Sequence, residues 1–381
     1  MLGALSACSG ASEQTVASTT RPTVTGTTVA ADTTALPTTT TPPTTERITA
    51  PPTTRAATTT TALPPTSTEA PPPVETTEPT GQPPTWPPYE PLPGVTGVAA
   101  LTNLAAQPDL GDVAALAVKI DNHPRARPQW SLSSADVIFE ENVEFLTRFI
   151  AIFHSRLPDT IGPIRSARTS DMNVLAAFNR PVLAWSGGNK NVTAVIRSAA
   201  TSGILVNVSA LTIGRCYRRA AGRKAPHNLV VDPACALEAA PSAGPARPPW
   251  SFDDAYLPQG EADGAFEVRM DGVDIVWVWD PASGQYLRHQ GGGPHVAADG
   301  TQISATNVVI MSVAYIPSPA DARSPEAQTV GQGQVIVHRN GVAVVGTWSR
   351  ATPTDPFGFV DPAGAPIPLA GGTTFVELVR A

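Results

Sequence analysis

The chain has 381 residues, 41 of them proline, and a formal net charge of −7 from 25 basic and 32 acidic residues. That acidic balance argues against nucleic acid as the main partner, because a phosphate backbone is held by surplus positive charge. Proline at roughly twice its usual ~5% excludes a uniformly globular chain.

The chain opens "MLGALSACSG", in which Leu5-Ser6-Ala7-Cys8 fits a bacterial lipobox: a branched apolar residue, two small residues, then a cysteine whose thiol takes a diacylglyceryl group. Several acyl chains anchor stably where one does not. The segment ahead of Cys8 lacks a basic region and is short for a secretory signal, so translation is expected to start upstream. Residues 9–94 follow as a Thr/Pro tract ("PTTTTPPTTERITAPPTTRAATTTTALPPTSTEAPPPVETTEPT"). Such a segment has too little apolar surface to fold and is expected to be a disordered, extended spacer. At ~3.1 Å per residue it reaches on the order of 250 Å, enough to carry a domain from a membrane into a cell wall. No later stretch is apolar for the 18 residues or more of a membrane-crossing helix.

From about residue 95 the composition turns ordinary. Strands are predicted over 114–122 ("AALAVKIDN"), 135–144 ("ADVIFEENVE") and 147–155 ("TRFIAIFHS"), with Phe145-Leu146 as a hairpin or a kink. After "GPIRSAR", Thr169 or Ser170 is placed to cap a helix through "DMNVLAAFN", with Asp171 in its first turn. A strand over 180–188, a helix capped by Asn189, a strand over 203–208 and a helix over 232–240 with Pro233 at its first position complete this part. Strands interleaved with helices predict an α/β-type layered domain over 95–245. Past the linker-like "SAGPARPPW", short β-branched and aromatic runs predict a mostly-β domain over 246–381, a small sandwich or an open barrel, with Asn340-Gly341 as a hairpin turn. The fold class is therefore α+β behind a disordered tail.

If Cys8 is lipidated, Cys216 and Cys235 remain as an even pair in an oxidising compartment, and a disulfide between them is expected. The competing reading is a catalytic Cys216: "IGRCYRR" resembles the cysteine strand of L,D-transpeptidases but lacks the preceding His-Gly. No G-x-S-x-G, S-x-x-K, H-E-x-x-H or P-loop occurs.

Two arginines, Arg165 and Arg168, follow the rigid Gly162-Pro163 and precede a helix start, a combination suited to an anion. The alternative is that they pair with Glu140, Glu141 or Glu144. Asp121, Asn122 and His123 sit just past a strand end, where α/β folds place their sites. Pro226-His227-Asn228 presents a second histidine in a tight turn. Two histidines and an aspartate suggest a metal only weakly, since the spacing matches no ligand motif, so neither metal nor cofactor is expected. Trp277, Trp279, Tyr286 and Trp348 are either core or a sugar platform.

The long run "VKIDNHPRARPQWSLSSADVIFEENVEFLTRFIAIFHSRLPDTIGPIRSARTSD", with "APHNLVV" downstream, resembles the YerB-like lipoproteins, a bacterial family of unknown function. The stretch from "WVWDPASGQYLRHQGGGPHV" through "GTWSR" to "GGTTFVELVR" looks like that family's C-terminal domain. The resemblance implies N-terminal lipidation and a place outside the membrane, and it attaches no reaction to the motif. The positions it carries over are Asp121, Asn122, His123, Arg127, Pro128, Gln129, Asp136, Glu140, Glu144, Thr147, Arg148, Gly162, Pro163, Arg165, Ser166, Arg168, His227 and Asn228. The family usually has glycines where this chain has Phe145-Leu146.

Two functions follow. One is a membrane-anchored lipoprotein binding an anionic or carbohydrate envelope ligand, such as a cell-wall polymer, through Asp121, Asn122, His123, Arg148, Arg165, Ser166, Arg168, His227 and Asn228. The other is a hydrolase or transferase on envelope polymers, with Glu140 or Glu144 as general acid or base and His123 or His227 as partner. Oligomeric state is left open.

Overall fold

The computed structural model describes residues 86–381. Cys8 and the Thr/Pro tract through residue 85 lie outside the described residues. Residues 86–94, assigned by composition to the spacer, pack on the folded part. Trp86 is buried in its core, and Tyr89 donates its hydroxyl to Asn179 Oδ1 at 2.7 Å.

The first half supplies β1 (Leu116–Asp121), β2 (Val137–Val143), β3 (Leu146–Phe153), α1 (Ser170–Leu175), β4 (Val182–Trp185), α2 (Lys190–Thr201), β5 (Val206–Ser209) and α3 (Pro233–Glu238). The second half supplies β6 (Ala265–Met270), β7 (Val273–Asp280), β8 (Gln285–Gln290), β9 (Asn307–Val313), β10 (Tyr315–Ser318), β11 (Asp321–Ala327), β12 (Gly331–Arg339), β13 (Val342–Arg350) and β14 (Thr374–Arg380), with shorter strands between. The chain is mostly strand with few helices, and its α/β layering amounts to one crossover. Strands β4 and β5 are parallel and joined through α2, and β1 pairs parallel with β4.

The second half forms neither an open barrel nor a sandwich of its own. Its strands extend the sheet of the first half, giving 11 strands in the order 261–262, β13, β12, β9, β14, β2, β3, β1, β4, β5, with 358–360 added beside β13. The seam is the parallel pairing of β14 with β2, from Thr374 opposite Val137 to Glu377 opposite Glu140. "TFVEL" suits that central place because its residues, Thr374 to Leu378, are buried on both faces. Strands β6, β7 and β8 form a separate meander over one face of the large sheet.

Each face of the large sheet carries its own core. One packs Phe139, Ile150, Leu183 and Val376 against α1, α2, Trp250 and Phe357. The other packs Phe149, Val118, Val308 and Phe375 against α3 and the meander. Trp277 and Trp348 are core residues, at 0% and 2% exposure, and Tyr286 is sealed as well, so these three rings are no sugar platform.

Local chemistry accounts for most element ends. Asn189 Oδ1 accepts the Val192 N–H at 2.8 Å and caps α2, while Asp232 caps α3 ahead of Pro233. Asn340 and Gly341, both at positive φ, turn β12 into β13. The start of α1 departs from expectation. Thr169 and Ser170 spend their hydroxyls on Ser318 and the Ala327 N–H, and Asp171 accepts the Arg168 N–H instead.

Candidate functional site

The site is set by strands that part. β1 pairs with β4 only over Leu116–Val118. Beyond that the "GPIR" segment takes the vacated edge: Ile164 bridges Ile120, Arg165 N donates to Lys119 O at 2.8 Å, and Ser186 N donates to Arg165 O at 3.0 Å. The crevice therefore opens at the carboxyl ends of parallel strands, where such sheets hold ligands. Gly162 lets the segment approach, since a Cβ there would meet Leu229 O at 2.9 Å.

Asp121, the last residue of β1, organises one side. Its Oδ1 accepts the His123 N–H at 3.0 Å, and its Oδ2 accepts from His227 Nδ1 at 2.8 Å. Arg165 Nε lies 3.1 Å from the same oxygen as an ion pair without a linear hydrogen bond. The Asp121 contact places the His227 proton on Nδ1 and leaves Nε2 as the free basic nitrogen. The His123 ring stacks on His227 at 4.4 Å, and its Nδ1 accepts the Arg125 N–H at 3.1 Å. Burial, then the neighbouring His227, lowers the His123 pKa below the ordinary histidine value.

Arginines organise the other side. Arg148 stands opposite both Asp121 and Glu141 in the sheet register, and its Nη1 donates to Ser166 O at 3.0 Å. Burial, and then the charges of Arg168 and Arg165, push Arg148 down to about 10, which still leaves it protonated at neutral pH. Arg168 grips Glu144 with both ends of its fork, Nη2 lying 2.7 Å from Oε2. Burial works to raise the Glu144 carboxyl, but the hydrogen bonds and charge of Arg168 outweigh it and bring it to about 2. Three guanidiniums thus converge, and only Arg165 and Arg168 hold a carboxylate at ion-pair distance among the described residues. Beside them lies a cavity of about 450 Å³ lined by Ser166, Arg168, Gly187, Gly188, Asn189 and Asp321.

Of the residues singled out by sequence, Asp121, His123, Arg148, Arg165, Ser166, Arg168, His227 and Glu144 are brought into this region. Asn122, Glu140 and Asn228 are not. Asn228 accepts from Arg219 and donates to Ala220 O and Arg223 O, which shapes the loop carrying His227. Asn122 and Glu140 turn inward, both essentially fully buried. Strand alternation explains the split in "FEENVE": Glu140 and Glu141 face opposite sides of the sheet. Glu141 pairs with the buried Lys119, which also holds Asp171 at 2.7 Å. Glu140 meets Arg288 of β8, Asn122 and Thr147.

That inward network is what sequence reasoning missed. Arg288, Gln290, His295 and Glu377 come from the second half of the chain and interlock with Asn122, Gln129 and Glu140 from the first. Burial, then the adjoining Glu140 charge, raises the Glu377 carboxyl well above its usual value. Burial likewise lowers His295, which stays neutral: its Nδ1 accepts from Arg288 at 2.6 Å and its Nε2–H donates to Gln129 Oε1 at 3.0 Å. The available signal was "QYLRHQ", a strand with an arginine and two glutamines inside an apolar region.

Cys216 and Cys235 are joined as a disulfide, so Cys216 carries no thiol nucleophile. Among the described residues no group of three or more His, Cys, Asp or Glu is placed to hold a metal, and no helix is long and apolar enough to cross a membrane.

Comparison with known proteins adds a lineage. Residues 101–246 match the N-terminal domain model of a protein family of unknown function, DUF3048, and residues 266–376 match its C-terminal domain model. YerB of Bacillus subtilis (strain 168), whose name gives it as a candidate lipoprotein, is 37% identical over 134 residues; the match spans 34% of this chain and 38% of that protein. The crystal structure of Bacillus subtilis YerB superposes with a TM-score of 0.64 at 23% identity, over 74% of this chain and 97% of that one.

Proposed function

The chain belongs to the DUF3048 family, and we propose that it is an extracytoplasmic lipoprotein, anchored through Cys8, whose folded part binds an anionic cell-envelope ligand at Arg148, Arg165 and Arg168. One observation carries the binding reading. Three guanidiniums sit at the carboxyl ends of parallel strands, and Arg148 is left with a backbone carbonyl as its hydrogen-bond acceptor. A fork held this way is ready to take a phosphate or carboxylate. The anchor reading rests on the lipobox and on the candidate-lipoprotein relative.

The test is thermal unfolding of the full chain with inorganic phosphate, sugar phosphates and teichoic-type polymers. A ligand at ~100 times its dissociation constant stabilises by ~2.7 kcal/mol. Stabilisation that disappears in Arg165→Ala and Arg148→Ala supports the site. No stabilisation by any of these ligands would refute it.

A second reading, envelope hydrolase or transferase, is favoured by the Asp121–His227 pair, which leaves His227 Nε2 free beside the arginines. In that reading His227 serves as general base and His123 lies within reach, whereas the sealed Glu140 takes no part. Wall polymer left intact by the wild-type chain over long incubation would exclude it. Cleavage abolished in His227→Asn would establish it.

A further inference from the structure

The arginine cavity does not stand alone. Cavities of about 340, 450 and 450 Å³ follow one another around the β10–β11 hairpin. Ala322 lines both the first and the middle one, and Asn189 and Asp321 line both the middle and the arginine cavity. The Arg168–Glu144 pair joins the two outer ones, with Glu144 lining the first and Arg168 the last. Each is near the low end of the ~300–1,000 Å³ usual for a small-molecule site, and the residues they share set them side by side as a trough around the hairpin.

At the far end stands Phe145, the tip of the β2–β3 hairpin. It is 89% exposed, and its φ is +58°. A bulky side chain in the left-handed region is a true outlier, and here its ring is not even buried in return. Both costs persist in the free chain, so the gain has to come from what the ring covers. Around it lie the Tyr315 ring, the forks of Arg323 and Arg380, and the carboxylates of Glu144 and Asp271. The carboxylates along the trough are already held: Glu144 by Arg168, Asp271 by Arg380, and Asp321 by Asn189 and Arg323. Lys190 holds none among the described residues, and neither does Arg148 beside the arginine cavity, which leaves a small positive surplus on a chain of net charge −7.

We infer that the trough holds an extended acidic glycan, with acid groups at the arginine end and the apolar face of a pyranose ring on Phe145. The inference rests on the anionic-ligand reading and gives it a polymer length and a sugar. The open aromatic face of Phe145, set among both donors and acceptors, suits a ligand whose apolar rings carry hydroxyls and acids, and it favours a glycan over an acidic peptide.

The experiment is calorimetric titration of the full chain with oligogalacturonates of increasing length, with polyglutamate and with inorganic phosphate, for wild type, Phe145→Gly and Arg165→Ala. Affinity is expected to rise with oligogalacturonate length over several sugars. Phe145→Gly is expected to weaken the long oligomers roughly five- to tenfold, the size of one aromatic contact. It should leave phosphate binding unchanged and should not lower the melting temperature, since glycine takes this φ freely. Long oligomers that bind no tighter than short ones, or that ignore Phe145→Gly while still lost in Arg165→Ala, would overturn the trough and spare the anion site. Polyglutamate with equal affinity and equal sensitivity to Phe145→Gly would overturn the glycan. Failure of every probe, phosphate included, would overturn the anion site itself.

Discussion

Replacing Arg288 with methionine asks whether the sealed network beneath the site holds the two halves of the chain together. Arg288 and Glu140 are both 0% exposed and are paired directly. The same guanidinium donates to Gln290 and His295 and sits over the rings of Phe149, Trp277 and Phe375, 5.2 to 5.8 Å from their centres. Methionine fills much of that space and is at home against aromatic rings, so the lost packing is small and the stranded carboxylate dominates. Removing one partner of a buried ion pair costs about 3–5 kcal/mol. Adding Glu140→Gln removes the stranded charge and keeps an oxygen for the Thr147 and Asn122 donors. Recovery of about 1–3 kcal/mol is expected, the usual coupling between contacting residues. Urea unfolding of the full chain at pH 7, followed by tryptophan fluorescence, measures both variants. A cost below about 1 kcal/mol for Arg288→Met, or a double variant no more stable than the single one, would refute the reasoning.

Glu144 is depressed, so its contribution to stability is present above the unfolded carboxyl value of ~4.3 and is lost as pH falls toward about 2. In Arg168→Ala, carbon NMR should find the Glu144 carboxyl titrating at higher pH. Glu377 is raised, so its effect runs the other way: stability increases as pH falls toward ~4.3, and Glu377→Gln should flatten that slope in denaturant titrations at several pH values. Reducing the Cys216–Cys235 bond, which spans 19 residues of sequence, should cost about 3 kcal/mol, read as a melting temperature a few degrees lower in reductant. Proton NMR should find His123 taking up its proton below the usual histidine range, so any ligand that needs it charged binds tighter only under mildly acidic conditions.

The first half was legible in sequence because each element carried its own signal. Apolar runs gave β1, β2 and β3, Asn189 marked the start of α2, and Pro233 marked α3. The site was legible in part for the same reason: Asp121, His123, Arg165 and Arg168 lie within a few residues of a strand end or a turn. What was not legible is non-local. Nothing in "TTFVELVR" says that it pairs parallel with residues 137–140, more than two hundred positions away. Without that pairing the second half reads as a domain with its own sheet. Glu140 then reads as a free carboxylate, when its counter-ion waits on β8. A tryptophan stripe raised the same difficulty, since alternation shows that Trp277 and Trp279 share a face but not what covers it.

The two kinds of motif residue found in "KIDNHPRARPQ" and "FEENVEFLTR" have a common purpose. Adjacent positions alternate between faces, so β1 and β3 present Asp121 and Arg148 toward the crevice, while Asn122, Thr147 and Glu140 of β2 turn into the interior. The interior set binds Arg288 and Gln290, and Gln129 binds His295, all of them buried. An apolar filling would serve stability at least as well, because buried charge is costly even when paired. What the polar filling adds is direction, as each hydrogen bond fixes the strand that bears it. The ends of β1 and β3 are thereby held where Asp121 can orient His227 and Arg148 can reach Ser166 O. A binding site built on strand ends needs that rigidity, because a forked arginine displaced by an ångström loses its second hydrogen bond to an anion.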